Sequence, residues 1–237
     1  MRVIRFRVDG LLNSFRVPFF RSYHKSFLAP PKSTIIGMLC NISLKSQEEF
    51  FEILDSDSIG VSVVIDKIVG RGKDLWSYKT IATKNRGKSV IRRDKLFQAS
   101  YYIYLSISDE VLYNDIFNSL KEPKSIPSLG LDDELVEISD VVSLDIQECS
   151  DNSIESVFLD KGVEYKVYIK DRSKPIEMPV AHISPLKFIA FDKNGKFISR
   201  EVKKESAQVE FINCIIEFQD DIVSFKDVEL EQNMVFY

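Results

Sequence analysis

Tyr101 to Pro123 reads YYIYLSISDEVLYNDIFNSLKEP, and the run contains one strand, one helix and the signals that separate them. Tyr101–Ile107 is rich in aromatic and β-branched residues and predicts a strand. Ser108 is placed to cap a helix, with Asp109 and Glu110 in the first turn, where the helix dipole favours negative charge. Leu112, Ile116 and Leu120 form an apolar stripe at helical spacing, and Pro123 ends it. Working toward the N-terminus, Ile59–Ile65 (IGVSVVI) predicts a buried strand. Ser33 or Thr34 predicts the N-cap of a first helix carrying Ile35, Leu39 and Ile42, with Pro31 just ahead of it. Gly37 inside that helix costs about 1 kcal/mol relative to alanine, so a close backbone contact is expected there. Val3–Val8 alternates as VIRFRV and predicts the first strand, and Val136–Ile146 supplies a fourth. The order strand, helix, strand, strand, helix, strand predicts an α+β fold with a ferredoxin-like, RRM-like domain over residues 1–150. Beyond it, short strand-like runs (157–159, 165–169, 180–183, 188–191, 211–218 and a tail ending at Tyr237) predict a smaller β-rich domain over 151–237.

Residues 67–95 join the second and third strands, too long a connection for a simple hairpin. Leu75–Ile81 looks like strand, Asn85-Arg86-Gly87 marks a turn, and Val90-Ile91-Arg92 returns. The prediction is a protruding basic β-hairpin arm with Trp76 and Tyr78 on one face.

The net charge of −4 hides an asymmetry. Residues 1–45 carry eight Lys or Arg against one Asp, and residues 66–95 carry ten against three, so each stretch is +7. An acidic protein with two such stretches can still bind nucleic acid, because the local field governs contact. No apolar run reaches the roughly 20 residues that cross a bilayer, and the basic, alternating N-terminus lacks a signal-peptide core, so a cytoplasmic protein without membrane contact is expected. Cys40, Cys149 and Cys214 have neither metal spacing nor a disulfide pattern and are expected to be reduced. No cofactor or metal is expected, since phosphate-loop, dinucleotide and zinc patterns are absent. Asp132, Asp133 and Glu134 are read as a solvated acidic face.

Two segments offer RNA-binding chemistry. Ahead of the first helix stand Arg16, Arg21, Tyr23, His24 and Lys25, followed by the amides at Ser33 and Thr34, which can accept an anion. The arm offers Arg71, Lys73, Lys84, Arg86, Lys88, Arg92 and Arg93 for phosphates, and Trp76 and Tyr78 for stacking on splayed bases. His24, flanked by Tyr23 and Lys25, is the one acid–base candidate. His182, in an apolar run, is read as structural.

Three blocks of sequence also resemble a known family. FRVPFFRSYHKSFLAPPKSTIIGML (15–39), VIRRDKLFQASYYIYL (90–105) and IPSLGLDDEL (126–135) occur in the order found in the CRISPR-associated Cas-five family. The resemblance covers roughly residues 1–145. It implies a subunit of a type I Cascade complex in antiviral defence, most like subtype I-B. Such a subunit binds the 5′ handle of the guide RNA and caps the filament of backbone subunits, with 67–95 as its thumb. It implies contacts to the backbone and large subunits, and to target DNA only through the complex. One branch of the family cleaves precursor guide RNA with Tyr, Lys and His. This sequence has no histidine in or after the arm until His182, which favours a non-catalytic role. The alternatives are a metal-independent endoribonuclease using Tyr23, His24 and Lys25, and a protein-interaction module whose arm touches only protein.

Overall fold

The alternation that begins at Val3 runs further than six residues: Arg2–Asn13 form β1, with Val3, Ile4, Phe6 and Val8 buried. In this computed structural model the described residues are 1–237 except 19, 21, 57, 81–86, 160–162, 170–176, 192–196, 213–214 and 220–221, with backbone alone described at 80, 177–191 and 197–212. After β1 come three two-residue strands, β2 (Phe15–Arg16), β3 (Tyr23–His24) and β4 (Ser26–Phe27), then α1 (Lys32–Ile42) and α2 (Gln47–Asp55). Two long strands follow, β5 (Ile59–Thr80) and β6 (Gly87–Ile107), then α3 (Glu110–Lys121) and β7 (Val136–Asp145). The remainder holds short strands β8 (Gln147–Cys149), β9 (Ser153–Ile154) and β10 (Tyr165–Tyr168), and the pair β11 (Glu177–Phe191) and β12 (Phe197–Ile212). It closes with β13 (Ile215–Phe218), β14 (Ser224–Asp227) and β15 (Gln232–Met234). The chain is a sheet-dominated α+β protein.

In the main sheet β5 lies beside β6, β6 beside β1, and β1 beside β7, every one of these pairs antiparallel. One face packs on the helices: Ile4, Phe6 and Val8 of β1 meet Ile35, Leu39 and Ile42 of α1 and Tyr113, Ile116 and Leu120 of α3 in one cluster. Each such side chain contributes about 1.5–3 kcal/mol by leaving water. The opposite face carries a second cluster, in which Val3, Val64 and Tyr104 meet Met234. Residues from the C-terminal part of the chain also bond to the edge of β5 at Val61 and Val63. Val61 and Tyr237 exchange two backbone hydrogen bonds of 3.1 Å, and the Val157 amide donates to Val63 O at 3.0 Å. Packing therefore runs across residue 150 in both faces and at the edge.

Several local expectations are corrected. The N-cap of α1 is Pro31, with φ −71° and ψ 159° and no side-chain cap, so Ser33 and Thr34 lie inside the first turn. Proline already holds that φ, so no hydroxyl is needed to set the turn. The cap of α3 is Asp109, whose carboxylate accepts from the Leu112 amide at 2.9 Å, and Ser108 lies outside. Helix α2 was not foreseen. Its capping box is explicit: Glu49 N–H donates to Ser46 Oγ at 3.2 Å and Ser46 N–H to Glu49 Oε2 at 2.7 Å. The runs at 180–183 and 188–191 are one strand, β11, and 157–159 is buried but not strand. The Gly37 position has no close backbone neighbour: a Cβ there would meet only Phe50 Cε2, at 4.0 Å.

A cation and aromatic cluster at the base of a long strand pair

The expected break between the second strand, the arm and the third strand does not exist. β5 and β6 pair from Ile59↔Ile107 to Thr80↔Gly87, so the ribbon is the outward continuation of two sheet strands. Gly70 and Gly72 sit within the ladder opposite Phe97 and Lys95. β1 accompanies β6 only as far as Asn13↔Leu96, and beyond that point the pair leaves the sheet.

There the segment preceding α1 joins it. β3 lies parallel to β6, with Tyr23 beside Arg92 and His24 beside Arg93. Neighbours across a ladder share a face. On one face the Arg92 guanidinium carbon lies 5.3 Å from the Tyr23 ring centre, Tyr23 lies 5.0 Å from Phe20, and Lys25 Nζ is 5.6 Å from the Phe20 ring. On the other, Arg93 sits 4.8 Å over Trp76, which has His24 at 6.4 Å and Tyr78 at 6.0 Å. Trp76 and Tyr78 remain 45% and 37% exposed, so their rings keep free surface for stacking.

Arg93 itself is buried and committed. Its Nη2 and Nε bond Asp74 Oδ2 at 2.6 and 3.2 Å. Asp74 stands opposite Arg93 in the ladder, and the pair fixes the guanidinium over the indole. The Arg93 hydrogen bond also holds the Asp74 carboxyl below its ordinary range. Burial, and then the charges of Arg16 and Arg93, depress the His24 imidazole below its ordinary 6.5, which favours the neutral ring.

The other expected residues fall in three groups. Arg16 on β2, Arg71 and Lys73 on β5, and Lys88 and Arg92 on β6 are exposed. Arg21, Lys84 and Arg86 lie outside the described residues. Ser33 and Thr34 stand apart, in an open groove of about 820 Å³ between α1, α2 and residues 125–135 that none of the described loop or ribbon cations lines. The Thr34 amide is already bonded to Pro31 O at 2.9 Å, so it is not a spare donor for an anion.

The acidic triplet is corrected too. Asp132 and Asp133 are exposed, but Glu134 is buried, accepting from Ser14 N at 2.7 Å, Ser14 Oγ at 2.5 Å and Leu131 N at 3.0 Å, and ion-paired with Lys95. Gly130 makes room for it: its φ is +119°, and a Cβ would come within 2.0 Å of Glu134 Oε2. Cys40 is buried, which pushes its thiol up to about 11, and Cys214 lies outside the described residues. The His182 backbone is in β11, opposite Gln208, and its side chain lies outside the described residues. Among the described residues no group of His, Cys, Asp and Glu could hold a metal ion, and no helix is long and apolar enough to cross a membrane.

A mixed sheet that extends two of its strands into a ribbon of cations and rings is the form of the protein. The family model described as CRISPR-associated protein (Cas_Cas5) matches residues 3–185, and the chain belongs to that family. Among solved structures it is similar to a CRISPR protein from Archaeoglobus fulgidus, with 14% identity over 99% of this chain and 98% of that one and a TM-score of 0.53. It is also similar to a chain of a CRISPR RNA-guided surveillance complex, with 16% identity over 92% of this chain and 91% of that one and a TM-score of 0.48. No curated protein matches it in sequence.

Proposed function

We propose that this protein is a non-catalytic subunit of a type I-B-like CRISPR effector complex that holds the 5′ handle of the guide RNA and caps the filament of backbone subunits. The observation that carries this is the register of β3 on β6. It brings Tyr23 and His24 of one basic segment against Arg92, Arg93 and Trp76 of another. Exposed rings for bases beside exposed cations for phosphates are what single-stranded nucleic acid requires.

The strand order β5-β6-β1-β7 is consistent with a ferredoxin-like, RRM-like sheet over residues 1–150, with 67–95 as the arm and 151–237 as the β-rich remainder. RNA-recognition domains use the sheet face itself. In this chain that face is covered at Arg5 and Tyr104: Asp227 Oδ2 accepts from Arg5 at 2.7 Å and from Tyr104 at 2.9 Å. The covered face favours an RNA path along the ribbon base. Holding is favoured over cutting because burial of His24, and then the charges of Arg16 and Arg93, disfavour the imidazolium a general acid needs. The backbone and large subunits of the complex are the protein partners in this reading, and target DNA is met only through them.

The test is salt-dependent binding of a synthetic repeat RNA carrying the 5′ handle. Trp76→Ala is expected to weaken binding by about 1–3 kcal/mol without changing the salt slope. Arg92→Gln is expected to lower that slope by about one. Unchanged affinity in both would remove RNA from the ribbon base. Site-specific cleavage in EDTA, abolished by His24→Ala, would replace holding with cutting.

A further inference from the structure

The inner edge of β6 changes partners where the ribbon leaves the sheet. β1 holds it up to Leu96, opposite Asn13, and β3 takes over at Arg93 and Arg92, opposite His24 and Tyr23. Between them, at Asp94 and Lys95, the ladder on that edge is interrupted. The gap is bridged by a side chain from elsewhere. Glu134 binds the Ser14 amide and hydroxyl, one residue past the end of β1, and with the same carboxylate pairs Lys95 in the interrupted stretch. The carboxylate's bond from Leu131 N, the Glu134 backbone bonds to Leu131 O and from Leu129 N, and the bond from Asn13 Nδ2 to Leu129 O at 2.8 Å fix the loop that carries it.

A two-residue strand such as β3 has too few ladder bonds to set its own register. Replacing a buried ion pair by well-packed apolar residues of the same size is often neutral for stability, so what this pair contributes is sought in the direction it imposes. We propose that Glu134 is a positioning residue: by tying Ser14 to Lys95 across the gap, it sets how Tyr23 and His24 lie against Arg92, Arg93 and Trp76. The inference rests on the RNA-holding reading for its consequence, but the geometry can be tested without RNA.

Trp76 is the only tryptophan in the chain, and its ring lies beside His24, so its fluorescence reports the junction. In the free wild-type protein, protonation of His24 is expected to quench that emission in a step below pH 6.5, and His24→Ala is expected to abolish the step. Glu134→Gln keeps the carbonyl acceptor but removes the charge that holds Lys95. It is expected to lose the Trp76 step and to bind single-stranded repeat RNA roughly tenfold more weakly, the scale of losing one stacking ring. The salt slope is expected to stay as in wild type, because no phosphate contact has been removed. Should Glu134→Gln unfold, the double variant Lys95→Met with Glu134→Leu removes both charges together and is expected to fold, while still lacking the step and the affinity. A folded variant of either kind that retains both the Trp76 step and wild-type affinity would overturn the proposal. If wild type itself fails to bind RNA, the RNA reading falls, and the step in free protein still decides the role of Glu134.

Discussion

Two glycines and one histidine show how much a single position can mean. Gly130 has a φ of +119° and a carboxylate where its Cβ would stand, so Gly130→Ala is expected to destabilise the protein by about 1–3 kcal/mol or more, measured by denaturant unfolding. Gly37 has helical geometry and open space, so Gly37→Ala is expected to raise stability by about 0.4–1 kcal/mol in the same assay. The sequence presents both as glycine among apolar residues. Only φ and the neighbouring atoms separate them. At His24 the folded protein favours the neutral ring; in the RNA-holding reading nearby phosphates would favour the charged one, so binding would take up a proton. RNA affinity is therefore expected to rise as pH falls below about 6.5, and to lose that dependence in His24→Ala.

At the scale of elements, α1 and α3 were legible because their signals are local, while α2 was missed. Apolar positions three and four apart place α1 and α3, and Ser46 with Glu49 marks the start of α2 once the pair is read as a capping box. The ribbon was legible only in part. Its cations and rings lie in one stretch of sequence, but Asp74 opposite Arg93, and Trp76 opposite Ile91, follow from the ladder register. Strand pairing is set between segments, so no single window of sequence contains it. The C-terminal strands β14 and β15 are a similar case. Asp227 is buried, which raises a carboxyl pKa, yet hydrogen bonds from Arg5 and Tyr104 outweigh burial and hold it below 3.8. Because the folded pKa is lowered, its contribution is complete above 3.8 and is lost as pH falls through the folded value. Asp227→Ala is expected to cost about 3–5 kcal/mol at neutral pH by leaving Arg5 buried with Glu229 as its remaining partner, and this difference from wild type should shrink at the acid end of a pH series.

For the whole molecule, the charge asymmetry and the fold point to the same place. The two +7 stretches, 1–45 and 66–95, are separated in sequence by an acidic helix, and β3 and β6 bring them side by side. The salt dependence of RNA binding is therefore expected to be steep even though the protein is net acidic, and a titration against potassium chloride checks it. A flat response would mean that the basic stretches serve the protein's own packing.

Composition and pattern by themselves determined the α+β character, the positions of β1, β5, β6 and β7 within the main sheet and of two helices, and the two basic stretches with the rings they carry. These follow from side-chain chemistry and short-range periodicity, which a chain carries before it folds. Tertiary structure alone decided that β5 and β6 are unbroken, that Arg93 is committed to Asp74, and that Glu134 lies buried at a junction while its neighbours Asp132 and Asp133 face water. It also decided that the sheet face is covered by residues more than two hundred positions away from Arg5. Each of these depends on which distant segments meet, because burial, register and ion pairing are properties of contacts between segments and not of any one of them.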